Sequence, residues 1–222
     1  MIELEKLEKP DVLEEKQEEW TEEYRDWLDD EDVPEAAKRR YNHDDIKERL
    51  IEETKRKCAY CESKISNVTF EHIEHIRPKS KYVDLFAEWN NLTITCPKCN
   101  FNKGNKYNED CPFIDPYEDR PREHLDAYGP MVTSRTERGK LTKNVLRMNR
   151  VGLLENRRDK LESIDNLIDV LENTDSQEEC LAILSVIENK ISRKSEYSFV
   201  KMIFTKERLE QIDIPCSLDM PH

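Results

Sequence analysis

The sequence predicts an α+β chain, mainly α, with a small core of different composition between helical N- and C-terminal regions. Three observations carry this expectation. Apolar residues recur at helical spacing towards both ends of the chain. Residues 58–107 lose that period and become dense in cysteine, histidine, asparagine and lysine. Two CxxC pairs lie within that stretch. At 222 residues the chain is long enough to bury a sizeable core.

Taken in order, residues 2–4 predict a short edge strand, closed by Pro10. Asp11 suits the N-cap of a helix over 11–30. On it, Leu13, Trp20, Tyr24, Trp27 and Leu28 recur on one face, and the opposite face is acidic. Such a stripe either packs on the core or docks a partner. Pro34 interrupts, and a second helix is predicted over 43–57 with Ile46, Leu50 and Ile51 inward. Residues 111–141, punctuated by Pro112, Pro116, Pro121 and Pro130, predict loops and short strands, with a turn containing Gly139. Further on, Leu161, Ile164, Leu167, Ile168 and Leu171 fit one helix. Cys180, Leu181, Leu184, Ile187 and Ile191 fit another, and 199–209 a third. The expected organisation is an acidic helical region over 1–54, a core over 55–115 and a mostly helical region over 116–222.

Charge is distributed unevenly. The net of −13 divides into −10 over residues 1–50, +1 over 51–110 and −4 over 111–222. Counterion release favours basic surfaces on nucleic-acid binders, so the whole-chain charge opposes free, tight, non-specific DNA binding. A locally basic site is compatible with it. No run of 18 apolar residues exists, which argues against a membrane-spanning helix. Residues 1–6 show no basic start and no apolar run, so the expected location is cytoplasmic. Four glycines argue against glycine-loop nucleotide folds.

Cys58-Ala59-Tyr60-Cys61 and Cys96-Pro97-Lys98-Cys99 each let a tight turn aim two thiolates at one point. Together they supply the four sulfurs of a tetrahedral structural zinc site, closed and therefore not catalytic. Two unrelated thiol pairs in a reducing compartment are the plain alternative. Cys111, Cys180 and Cys216 lack such pairing. Cys180 is expected in the core and the other two as free thiols.

Between the pairs lie Glu74-His75-Ile76-Arg77-Pro78 and Asn91-Leu92, and Asn100 and Lys103 follow Cys99. Phosphodiester hydrolysis needs an activated water and charge neutralisation at phosphate. A neutral histidine can take the proton, while a carboxylate and an amide carbonyl can hold a hard divalent cation. Lysine and arginine can grip flanking phosphates. In order and spacing this set resembles the HNH, or ββα-metal, endonucleases, in the branch framed by four cysteines. The resemblance implies a ββα-metal core in which His75 ends the first strand of a hairpin and Asn100 opens the helix. It implies that His75 is the general base. Glu74 and Asn100 would ligate a catalytic Mg²⁺ or Mn²⁺, and Asn91 would fix the loop presenting His75. Arg77, Lys79, Lys81 and Lys103 would contact phosphates. His72 lies three residues before His75, so strand alternation sends it to the opposite face.

A looser resemblance rests on the order of segments: Pro10 and the N-terminal helix, the nuclease motif, Cys111-Pro112-Phe113-Ile114-Asp115-Pro116-Tyr117, Asn144–Arg150, then helices. That order is similar to the HNH nuclease subunit of Septu-type antiphage defence systems, some of which sit in retron operons. It implies an ABC/SMC-like ATPase as partner, with the N-terminal helix and the C-terminal region as docking surfaces. DNA is the default substrate of the family and RNA, such as tRNA, the alternative. A catalytically inactive zinc-stabilised scaffold is the non-enzymatic reading.

Overall fold

The computed structural model describes residues 1–29, 34–65 and 72–212. Among them the fold is mainly helical with two small two-stranded sheets. Helix α1 spans Asp11–Asp29. It begins one residue earlier than expected: the Pro10 carbonyl accepts from the Leu13 and Glu14 amides, so Pro10 takes the cap position and Asp11 lies in the first turn. Its apolar stripe turns inward, burying Leu13, Trp20 and Tyr24. The Tyr24 ring stacks on Phe86 with centroids 4.2 Å apart. Leu13, Trp20 and Tyr24 thus serve the protein's own core, Trp27 is half-buried against it and Leu28 stays exposed. The edge strand expected over 2–4 does not form. Leu4 N–H donates to the Pro116 carbonyl at 2.7 Å, but a proline returns no N–H, so no ladder develops there.

Helix α2, Asp44–Glu53, is N-capped by His43, whose Nδ1 accepts from the Asp45 amide at 3.3 Å. It stops four residues short of the expected end. Thr54 caps it, and Lys55 and Arg56 take left-handed conformations with φ of 54° and 59°. Those two residues turn the chain into the first CxxC segment.

Strands β1 (His72–His75) and β2 (Leu92–Thr95) form an antiparallel pair with His72 opposite Thr95 and His75 opposite Leu92. Strand β2 is buried along its whole length. Helix α3, Pro97–Lys103, follows directly, with Pro97 in its first turn where a missing N–H costs nothing. Trp89 sits beside this unit, its indole N–H donating to the Leu7 carbonyl at 2.9 Å and Lys6 over its ring.

A second hairpin, β3 (Leu125–Tyr128) and β4 (Met131–Ser134), lies between the short helix α4 (Pro121–His124) and α5 (Glu137–Val145). Gly139 lies inside α5, not in a turn. A Cβ there would meet the His124 carbonyl oxygen at 2.0 Å, so the glycine lets two backbones touch. Helices α6 (Val151–Glu172), α7 (Gln177–Ile191) and α8 (Ser198–Leu209) complete the chain. They enclose a satellite cluster of Ile164, Ile168, Leu171, Cys180, Leu184 and Ile187. The main core takes residues from every region, among them Trp20, Phe86, Ile94, Leu161 and Phe199. Among the described residues no helix is long and apolar enough to cross a membrane. Cys111 is a free thiol, whereas Cys216 lies outside the described residues.

Candidate active site and metal centre

The two CxxC turns meet. The sulfur atoms of Cys58, Cys61, Cys96 and Cys99 all lie within 4.8 Å of one another, and Cys61 and Cys96 are 3.8 Å apart. Four sulfurs at ~2.3 Å from a tetrahedral zinc would stand about 3.8 Å from each other. The donor set and its spacing thus fit a metal of that kind. Arg150, just before α6, crosses this cluster. Its guanidinium donates to the sulfurs of Cys61, Cys96 and Cys99 at 3.6 to 3.8 Å. A cation over a tetrathiolate offsets its negative charge. Spacing gives the four cysteines but not Arg150, which arrives from 51 residues beyond Cys99.

His75 ends β1 and is buried, with 6% of its surface exposed. Its Nε2 lies 2.8 Å from the Phe86 carbonyl. A carbonyl only accepts, so Nε2 carries the hydrogen and Nδ1 keeps the lone pair. Burial pushes the imidazole pKa down to about 3, against the opposing pull of that hydrogen bond. The ring is therefore a neutral base near pH 7. Tyr41 meets it edge-on, with centroids 4.5 Å apart. Phe86 holds His75 through its backbone carbonyl, with the two rings also stacked at 6.1 Å, and a carbonyl contact leaves no signal in the sequence.

Glu74 precedes it and is also buried. Burial raises its pKa, and Lys103 opposes that rise. Lys103 Nζ sits 2.5 Å from Glu74 Oε1 and 2.6 Å from the His75 carbonyl. Asn91 closes the exit of β1. Its Oδ1 accepts from the Arg77 amide, and its Nδ2 donates to the carbonyls of Arg77 and Leu85, at 2.8 to 3.1 Å. Asn100 is half-buried and stands at the fourth position of α3, one residue after Cys99, rather than opening the helix. A carboxylate and an amide carbonyl are oxygen donors suited to a hard divalent cation.

Of the four side chains expected at phosphates, Arg77 and Lys81 are exposed. The other two turn inward, contrary to a surface role. Lys103 is buried on Glu74, as above. Lys79 donates to the Lys38 carbonyl at 2.6 Å and lies over the rings of Tyr24, Tyr41 and Phe86. Burial, with the positive charges of Lys38 and Arg39 nearby, draws its pKa down to about 8. His72 is exposed, on the side of β1 away from His75.

Residues 58–106 match the family model described as HNH endonuclease, and this part of the chain is an HNH domain. The chain is also similar to a protein of Bacillus thuringiensis described as Septu protein PtuB. The two are 31% identical over 134 residues, which cover 58% of this chain and 52% of that relative. A second Septu protein PtuB, from Bacillus mycoides (strain KBAB4), is 31% identical over 116 residues, 39% of each chain. The chain thus spans about half or less of the curated relatives it matches.

Proposed function

We propose that this protein is a metal-dependent endonuclease that hydrolyses phosphodiester bonds in nucleic acid, with DNA as substrate. In this reading it is the effector of an antiphage defence system and works with an ABC/SMC-like ATPase. The likeness to Septu proteins supports the setting, and the HNH domain supports the chemistry.

One observation carries the mechanism: the Phe86 carbonyl fixes the proton of His75 on Nε2. Nδ1 is left to take a proton from the attacking water, and burial keeps the ring uncharged until it does. Glu74 and Asn100 would hold Mg²⁺ or Mn²⁺, which when bound supplies charge neutralisation at the phosphate. Lys103 favours the ionised form of Glu74 in a buried setting. Asn91 locks the backbone on either side of the β1 exit, so His75 is presented at a fixed angle. Arg77 and Lys81 remain at the surface for phosphates. The four cysteines would hold zinc with no open position, giving α3 and Asn100 a rigid base.

The test is cleavage of plasmid DNA and of bulk tRNA, with Mg²⁺ present or omitted, by the wild type and by His75→Ala. Metal-dependent loss of plasmid that vanishes in the variant is expected. Loss of tRNA alone would move the substrate to RNA. An equally active His75→Ala protein would overturn the mechanism. Inactivity of the wild type towards both, with or without an ABC/SMC-like ATPase added, would favour the scaffold reading.

A further inference from the structure

Phe101 is 86% exposed, the most exposed large apolar side chain among the described residues. Its position on α3 makes that exposure specific. Cys99 and Lys103, four residues apart, share the inner face of the helix. One faces the thiol cluster and the other Glu74. Asn102 is tied down as well, its Nδ2 donating to the Leu146 carbonyl at 3.3 Å. Phe101 follows Asn100 and lies about 200° round the helix from Cys99, on the outer face. Lys98, one turn earlier and exposed, shares that face.

The stretch of chain that carries it differs in charge from the rest. Asp and Glu supply 49 of the 222 residues, yet none occurs between positions 89 and 108. The exposed cations of that window are Lys98 and Lys106. Arg147 follows Leu146 and adds a further exposed cation, held at a left-handed φ of 48°. An exposed apolar ring on a stretch of chain without carboxylates and with exposed cations matches a polyanion that also carries flat apolar rings. Nucleic acid is such a partner: lysine and arginine take its phosphates, and an aromatic ring takes a base. An apolar protein helix would not require the absence of carboxylates.

We infer that Phe101 stacks on a nucleobase of the bound strand beside the phosphate presented to Asn100, with Lys98 and Arg147 on the flanking phosphates. The inference rests on the nuclease reading above and adds a substrate-contacting residue to it. Because the ring is exposed, removing it leaves the core untouched, so binding is separable from folding.

The test is fluorescence anisotropy in the cleavage-deficient His75→Ala background, with labelled single-stranded DNA, duplex DNA and RNA of one sequence. Phe101→Ala should weaken binding to the preferred probe roughly 5- to 100-fold, and Phe101→Trp should retain it. Abasic substitutions walked along the probe should locate one position where the parent weakens and Phe101→Ala loses nothing more. Lys98→Gln and Arg147→Gln should each reduce the salt dependence by about one ion. Equal binding by Phe101→Ala and the parent would overturn the inference while leaving the nuclease reading intact. Failure of the parent to bind any of the three would overturn both. If Phe101→Ala binds nucleic acid normally but loses co-purification with an ABC/SMC-like ATPase that the parent retains, the ring is a protein contact and the inference is wrong.

Discussion

Lys103 Nζ bridges Glu74 Oε1 at 2.5 Å and the His75 carbonyl at 2.6 Å, so one buried ammonium joins α3 to the last two residues of β1. Removing it leaves a desolvated carboxylate without a counter-charge. Lys103→Met is expected to cost about 3–5 kcal/mol in urea unfolding. Adding Glu74→Gln should return part of that loss, because the orphaned charge is gone. An unchanged unfolding midpoint for Lys103→Met would refute this.

Asn91→Ala separates architecture from chemistry. The side chain makes three hydrogen bonds to backbone groups on two segments. Its loss should lower stability by about 1–3 kcal/mol and reduce cleavage as well. His75→Ala should abolish cleavage with a circular dichroism spectrum like that of the wild type. Similar melting temperatures for Asn91→Ala and the wild type would contradict the bracing role.

Metal removal should be felt as loss of fold. Chelation, Cys58→Ser or Cys96→Ser is expected to lower the melting temperature sharply, since metal binding free energy at such a site is folding free energy. Arg150→Ala should release the metal to a competing chelator more readily than the wild type does, at unchanged cysteine content. A metal-stripped protein that melts at the wild-type temperature would contradict the structural role of the site.

Asp115 supplies a pH test away from the metal sites. Burial raises its carboxyl pKa to about 6, against a usual value of 3.8. The folded state therefore keeps a proton that the unfolded state has already lost. Stability falls as pH rises from about 4 to about 6 and stays lower above that. Asp115→Asn should remove this penalty and stabilise the protein at pH 7.5 by up to about 3 kcal/mol. It should have little effect at pH 4. Chemical denaturation at the two pH values reads the difference.

Gly139→Ala tests the contact between α5 and α4. Alanine is the better helix former by about 1 kcal/mol. Here its methyl group would overlap the His124 carbonyl oxygen. Net destabilisation is expected, and a gain in melting temperature would show that the two helices can part without cost.

The parts of the site written as spacing were legible. Cys58, Cys61, Cys96 and Cys99 meet because a two-residue gap fixes where two thiols point, whatever the rest of the chain does. The helices at both ends were legible because one buried face imposes its period. The inward turn of Lys79 and Lys103 was not. Lys79 lies among Tyr24, Tyr41 and Phe86, which come from separate segments, and Lys103 finds Glu74 across 29 residues. A lysine reads as exposed until its counterpart is placed in space. The end of α2 was misjudged for a local reason: Lys55 and Arg56 adopt a conformation that their residue types disfavour. Gly139 looked like a turn residue because the carbonyl it accommodates belongs to a different helix.

The first CxxC turn is anchored from far along the chain. Lys57 Nζ reaches the carbonyls of Arg193 and Ser195 and the hydroxyl of Ser198, 136 to 141 residues away. The Tyr197 amide donates to the Glu62 carbonyl from the same late segment. On the ribosome these contacts cannot form until translation has passed residue 198 and that stretch has cleared the exit tunnel. A product truncated earlier contains every motif residue yet lacks the clasp that holds the thiol turn in register. Assembly of the site is thus timed to late synthesis, and a stalled or prematurely terminated copy is an incomplete tool.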